Sequence, residues 1–411
     1  SLVILIVVPF IFSVPLSLAV SELTAAFPVE GGNYRWSRMA LGDFWGFQAG
    51  WWSWASAVAT SASFAALFAD YVKALDPDLT ALQHWILALM LIWAMHWVNV
   101  KGIEMVGNSA VLMSALLLVP FVLMIGLGLS HWNHNPFVPF TAPGKGVLGF
   151  ATALSTAIWL YSGYEKLSCA AEEVENPQRT FPPALFSAAT LAMLSYLLPT
   201  LCALAMLGNW QDWGSGYFPS AGGKMAGPWL QNLTVAAGLI SNALLLNVTM
   251  MAASRTLLTM SEDKLAPPGL ARHNPTTGTP TAALTVGSIL LSALALIDFN
   301  QLLVIYAWFT MTATMLIYIN VFRLRRLHPE VPRTFSVPGG TGGLVLLALP
   351  TLFLAILALE STVVTDGHFD LRQVVVGLMA TLSGPLLYVL LRRGRPRPEE
   401  HSRDAALERV T

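Results

Sequence analysis

The sequence predicts an all-α integral membrane protein with about eleven transmembrane helices, and three observations lead there. Hydrophobic residues make up 55% of the chain and charged residues only 11%, against roughly 25% charged in a soluble globular chain. The charges are crowded into short segments between long apolar runs, which is how a chain looks when lipid is its solvent. Those runs are near the ~20 residues that a spanning helix needs, and far longer than a barrel strand of ~9–11. Helices are then the one spanning option, because every backbone donor in hydrocarbon must be paired within its own segment.

Taken in order, the predicted spans are 1–26, 43–72, 82–100, 106–130, 147–170, 183–208, 230–258, 280–298, 300–322, 342–363 and 372–393. Residues 1–393 form a single transmembrane domain. Residues 394–411 are polar, with Pro and Arg, and read as a disordered cytoplasmic tail. The longest connections, near 131–146, 209–229 and 259–279, are too short for a soluble domain.

Lys and Arg set the expected orientation. Alternate connections and the tail hold 17 of them: Arg35 and Arg38, Lys101, Arg179, then Arg255, Lys264 and Arg272, then Arg323, Arg325, Arg326 and Arg333, and six more from Arg392 onward. The opposite set holds 4, namely Lys73, Lys145, Lys224 and Arg372. Lys166 is left inside a span. The C-terminus is therefore expected in the cytoplasm. The apolar start at Leu2, with no basic segment before it, does not read as a signal peptide. With an odd span count it suggests a helix missing ahead of Ser1.

An ionisable residue inside a span defaults to a functional hypothesis. In the 147–170 span, Trp159, Tyr161, Ser162, Gly163, Tyr164, Glu165 and Lys166 follow one another closely. Gly lowers helix propensity by about 1 kcal/mol relative to Ala. Discontinuous helices near the bilayer midplane form transporter sites, because freed backbone groups bind a solute there. Two readings stand: a break at Tyr161-Ser162-Gly163, or an intact helix with one tolerated Gly and a Glu165–Lys166 pair. The segment EEVENPQRTFPPAL (172–185), with tandem Pro182-Pro183, reads as a cytoplasmic loop feeding a new helix. In the 43–72 span, Ser53, Ser56 and Ala57 are small residues suited to close packing or to facing a solute. Asp70 and Glu22 lie near opposite span ends.

Other chemistries are disfavoured. The chain holds 2 Cys, at positions 169 and 202 in apolar runs, which read as packing residues. A net charge of -1 argues against a nucleic-acid partner. The sequence has no phosphate-binding Gly-rich loop, no metalloprotease motif and no metal-ligand spacing. His84, His96, His131 and His134 fall at span ends or in loops and read as structural. No enzyme activity and no cofactor are expected.

Several segments resemble the amino acid–polyamine–organocation permeases, in particular the branch of L-type amino acid and polyamine uptake transporters. They are SELTAAFPVEGGNYRW (21–36), GFQAGWW (46–52), VKGIEMVGNSAV (100–111), EEVENPQRTFPPAL (172–185), ASRTLLTMSEDKLAPPGLARHNPTTGTPTAAL (253–284) and RLRRLHPEVPRTFSVPGG (323–340). They occur in family order across nearly the whole chain. The resemblance implies a leucine-transporter-like fold of twelve helices, with two inverted five-helix repeats and two trailing helices. The first span here resembles the family's second helix, so residues 1–393 correspond to helices 2–12 and the family's first, Gly-broken helix is absent from this chain. The resemblance puts substrate between the broken first and sixth helices. It implies that Trp159 is a substrate-contacting aromatic and that Tyr161, Ser162 and Gly163 lie in the unwound segment. Glu165 falls at an acidic position tied to gating or amine binding. Ser53, Ser56 and Ala57 lie on the helix beside the pocket. Asn242 and Asn247, more loosely, lie on the ion or substrate side of the eighth family helix. The Lys that some proton-coupled relatives carry in their fifth helix is not seen in SALLLVPFVLMIG (114–126).

The function expected on this basis is secondary active transport of an amino acid or polyamine across the cell membrane by alternating access, driven by protons. An exchanger of related amines and a transporter-like nutrient sensor are the alternatives. The expected partners are a small amine or amino acid and the lipid bilayer.

Overall fold

The computed structural model describes residues 2–138, 153–208 and 217–392, apart from residues 74, 77, 155, 298, 366 and 367. The helices run in order as α1 Leu2–Ala26, α2 Asn33–Leu41, α3 Asp43–Lys73, α4 Ala81–Val100, α5 Ile103–Ser130 and α6 over 156–160. There follow α7 Pro177–Leu207, α8 Tyr217–Ala226, α9 Pro228–Glu262, α10 Thr281–Leu294, α11 Phe299–Leu327, α12 Gly340–Val363 and α13 Leu371–Arg392. Among the described residues, nine helices are long and apolar enough to cross a membrane. The remaining two expected spans take other forms. The 280–298 span is the 14-residue helix α10, about 21 Å long at 1.5 Å per residue. The 147–170 span is described from residue 153 and is broken. Its first residues, and the 394–411 tail, lie outside the described residues.

Local chemistry sets several boundaries. At the start of α4 the Thr80 side chain accepts from the Gln83 N–H, and the Gln83 side chain accepts from the Thr80 N–H in return, which satisfies two otherwise orphaned donors. α7 begins with Pro at its first position after Asn176 in a left-handed conformation. Tandem Pro182-Pro183 therefore lies inside the helix, and the predicted loop at 172–185 ends at Asn176. The predicted loop at 209–229 likewise contains α8, too short to span. Pro9 and Pro15 flank a wide π turn over Pro9–Ser13 within α1, where proline removes a backbone donor.

α3, α9 and α11 form the centre. α3 packs against both α9 and α11, and α3 and α9 approach so closely at Gly238 that a Cβ there would lie 2.1 Å from the Tyr71 ring. α4, α5, α12 and α13 sit outside and expose large apolar side chains such as Val122, Leu346 and Met379. Leu346 is 72% exposed and Met379 68%, which suits contact with lipid rather than water.

Two ionic clusters tie the arginine-bearing end. The Arg38 guanidinium meets Asp263 at 2.8 Å and Asp43 at 2.8 Å, and Arg35 lies 3.2 Å from Asp263. The Tyr34 hydroxyl donates to the same Asp263 carboxylate at 2.7 Å. Burial, and then the Asp263 charge, push the Tyr34 hydroxyl well above the usual tyrosine range, so it stays a donor. This cluster joins α2, α3 and the end of α9. In the second cluster, buried Glu22 on α1 accepts both arms of the Arg325 fork from α11 at 2.6 Å, and the Val337 N–H at 2.7 Å. A buried carboxylate is tolerated because it is bidentately paired and hydrogen-bonded. At the opposite end of α3, Asp70 meets His84 of α4 at 2.9 Å. The two cysteines, Cys169 and Cys202, are buried thiols that form no disulfide with each other.

Candidate functional site

The break in the sixth expected span organises the site. The Tyr161 N–H still bonds to the Ala157 carbonyl at 3.0 Å, in helical register. Ser162 then reaches only the Trp159 carbonyl, at 3.4 Å, and Gly163 turns to φ +110, a conformation that glycine adopts without steric cost. A 3-10 helix over Tyr164–Glu173 follows. Glu165 folds its carboxylate back to accept the Gly163 N–H at 2.6 Å, and so caps the second half. Among the described residues, the Leu160 and Ser162 carbonyls accept no hydrogen bond from another group beyond the helix. Among the described residues, chain neighbours aside, no heavy atom lies within 4 Å of where a Gly163 Cβ would point, so the break borders open space there.

The neighbours hold this break from three sides. On α1, Ser13 Oγ donates to the Tyr161 carbonyl at 3.0 Å, while the Tyr164 hydroxyl donates to the Ser13 carbonyl at 2.7 Å and accepts from Ser17 at 3.1 Å. The π turn of α1 thus packs on the break of α6. From α11, the Tyr306 hydroxyl donates to Ser162 Oγ at 2.9 Å. Ser162 Oγ in turn donates to the Ile158 carbonyl. From α3, Thr60 Oγ1 accepts the Trp159 indole N–H at 2.7 Å.

A narrow cleft, partly open to solvent, runs from the start of the 3-10 helix to the turn before α2. The α3 residues that line it are Ser53, Ser56 and Ala57; the 3-10 helix adds Glu165, Lys166, Ser168 and Cys169. α9 adds Ala252, Ala253 and Thr256, and α11 adds Thr310, Ala313, Thr314 and Ile317. Val20, Gly31, Asn33 and Trp36 complete the wall toward the arginine-bearing end. Val20, Trp36 and Ile317 belong to one apolar cluster, and Ala57, Ala253 and Ala313 to the other, so the cleft lies where the two cores meet.

The structure places the sequence-predicted residues unevenly. Ser53, Ser56, Ala57 and Glu165 line the cleft. Ser162 and Gly163 lie at the break one step beyond it. Trp159 does not line the cleft; its ring lies 5.6 Å from Phe64 and 5.4 Å from Phe299. Tyr161 points away: its side chain is 1% exposed and donates to the Leu5 carbonyl at 2.9 Å. Asn242 donates to the Gly238 carbonyl of its own helix at 2.9 Å, and Asn247 is paired with Asn99 of α4. Glu165 and Lys166 do not pair with each other. Lys166 instead donates from Nζ to Ser56 Oγ at 3.0 Å and lies 5.1 Å from the Tyr306 ring centroid. Thr256, Thr310 and Thr314 were not predicted; a Thr in an apolar run carries no sign of which way it faces.

The sequence profile of the family described as amino acid permease matches residues 1–379. The chain is 31% identical, over 91% of its length and 76% of the relative's, to the polyamine transporter RMV1 of Arabidopsis thaliana. It is 30% identical, over 94% of its length and 71% of the relative's, to the polyamine transporter PUT1 of Oryza sativa subsp. japonica. It is 27% identical, over 77% of its length and 72% of the relative's, to a methylthioribose transporter of Bacillus subtilis. A broken helix beside a cleft between two apolar cores, in a multi-pass helical membrane protein, accords with these likenesses: the chain belongs to the amino acid permease family.

Proposed function

We propose that this permease carries a small amine-bearing solute, an amino acid or a polyamine, across the cell membrane by alternating access. The observation that carries this reading is the break at Ser162-Gly163, which leaves backbone carbonyls free beside open space. In hydrocarbon such groups need a partner, and an ammonium supplies one while shedding its own water onto fixed dipoles. The Glu165 carboxylate adds a full negative charge at the same point. The names of the plant relatives support a polyamine or related amine as cargo.

The positive charge of the arginine-bearing end, with its two ionic clusters, supports a cytoplasmic position for it. The cleft runs toward that end, and the Trp159 ring packs against Phe64 and Phe299, an arrangement that supports an inward-facing state. Protons are the proposed coupling ion. Asn242 and Asn247, the side chains considered for an ion, are committed to Gly238 and Asn99.

The test is uptake of radiolabelled putrescine, L-ornithine and L-leucine by the purified chain in liposomes, under an imposed pH gradient or an imposed sodium gradient. Accumulation driven by the pH gradient alone is expected. Uptake that depends on preloaded internal amine would establish an exchanger instead. Binding of all three without movement of any would establish a sensor.

A further inference from the structure

The charges on the cleft wall are balanced. Of the residues that line it, Glu165 and Lys166 carry the full charges, one of each sign. They are neighbours in sequence, yet their charged groups are engaged separately. The Glu165 carboxylate holds the Gly163 N–H at the break. The Lys166 ammonium lies against α3 and α11, donating to Ser56 Oγ at 3.0 Å with the Tyr306 ring beneath it at 5.1 Å. Ser56 is fixed in turn by donating to the Ser53 carbonyl at 2.9 Å, so its oxygen presents a lone pair to the ammonium. An ammonium has three donors, and Ser56 takes one. No carboxylate of the described residues pairs with Lys166.

We infer that Lys166 is the receptor for a substrate carboxylate, so that this permease selects zwitterionic amino acids over polyamines. The inference rests on the amine-permease reading above. A cleft with one negative and one positive group complements a molecule that carries one of each. A diammonium of similar length fits it poorly: with one ammonium at the break, the other is brought toward Lys166, and like charges in a site walled by apolar side chains repel strongly. The α-ammonium goes to the freed carbonyls and Glu165. The carboxylate goes to the unfilled donors of Lys166, beside the Ser56 hydroxyl.

The experiment uses two pairs of probes that differ by the carboxylate: L-ornithine with putrescine, and L-leucine with isoamylamine. Equilibrium binding and uptake are measured for the full chain in liposomes, and for Lys166→Met and Lys166→Arg. The amino acid of each pair is expected to bind about tenfold or more tightly than its amine, the scale set by removing one partner of a desolvated charge pair. Lys166→Met is expected to erase that preference by weakening the amino acid, and Lys166→Arg to keep part of it. Putrescine binding as tightly as L-ornithine, or a preference unchanged in Lys166→Met, overturns the role of Lys166 and leaves the amine permease standing. Failure of all four probes to bind overturns both. Should Lys166→Met not fold, the wild-type preference and the Lys166→Arg variant decide between the same outcomes.

Discussion

Gly163 is the residue on which the site turns. Its φ of +110 is closed to most side chains, although the space beside it is empty. Gly163→Ala therefore tests backbone strain rather than a clash. A cost of about 1–3 kcal/mol is expected from a non-Gly residue held there, read as a lowered midpoint in thermal unfolding together with weaker substrate binding. Glu165→Gln separates charge from geometry, because the amide oxygen still accepts from the Gly163 N–H. Putrescine, L-ornithine and L-leucine each bring an ammonium to Glu165, so each is expected to lose about tenfold or more in uptake. Unchanged uptake of all three would remove the electrostatic role of Glu165. Trp159 anchors to Thr60 and stacks with Phe64 and Phe299 beside the break. Trp159→Ala is expected to weaken binding about tenfold or more, the range of a buried aromatic anchor. Trp159→Phe, which gives up the Thr60 bond and keeps the ring packing, is expected to lose less. Unchanged affinity in both would place the solute elsewhere.

At the scale of elements, what was legible followed from hydrophobic length and from glycine. The long spans agree with the predicted ranges to within a few residues at most ends, because ~20 apolar residues have one cheap solution in a bilayer. The break was legible as one of two readings, because Gly163 sits among polar neighbours in an apolar run. Elements that depend on tertiary context were not. Pro182 and Pro183 suggested a helix start, yet the helix begins earlier at Pro177, where Asn176 adopts a left-handed turn. α8 is short and lies in a stretch that reads as loop. The direction of each side chain around a spanning helix was the least legible feature. Amphipathic contrast is weak when both faces are apolar, so Tyr161, Asn242 and Asn247 read as site residues, yet Tyr161 and Asn247 bond to neighbouring helices and Asn242 to its own. Thr256, Thr310 and Thr314 line the cleft without any pattern to announce them. Lys166 was visible as a charge within a span; that it turns away from Glu165 toward Ser56 needed the packing of α3 and α11.

For the whole molecule, the cleft is the seam between two apolar cores, and ionic clusters at the arginine-bearing end hold the elements on either side. Asp263 receives Arg35, Arg38 and Tyr34 together, so it links α2 to the end of α9. Asp263→Asn removes the shared charge and leaves two buried guanidinium groups without it. A loss of about 3–5 kcal/mol is the scale for breaking a buried pair. Because this cluster must rearrange if the end opens and closes, the variant is also expected to slow uptake while leaving the binding of L-ornithine near the wild-type value. Wild-type uptake in Asp263→Asn would show that the cluster takes no part in the cycle.

A solute's ammonium held where the helix is interrupted would be visible in a structure of the chain in lipid nanodiscs, determined with saturating L-ornithine. Density for the amino acid is expected in the cleft, with its α-ammonium against Glu165 and the carbonyls freed around Ser162 and Gly163. Density for the ligand elsewhere with this cleft empty, or a continuous helix through residues 160–164, would contradict it.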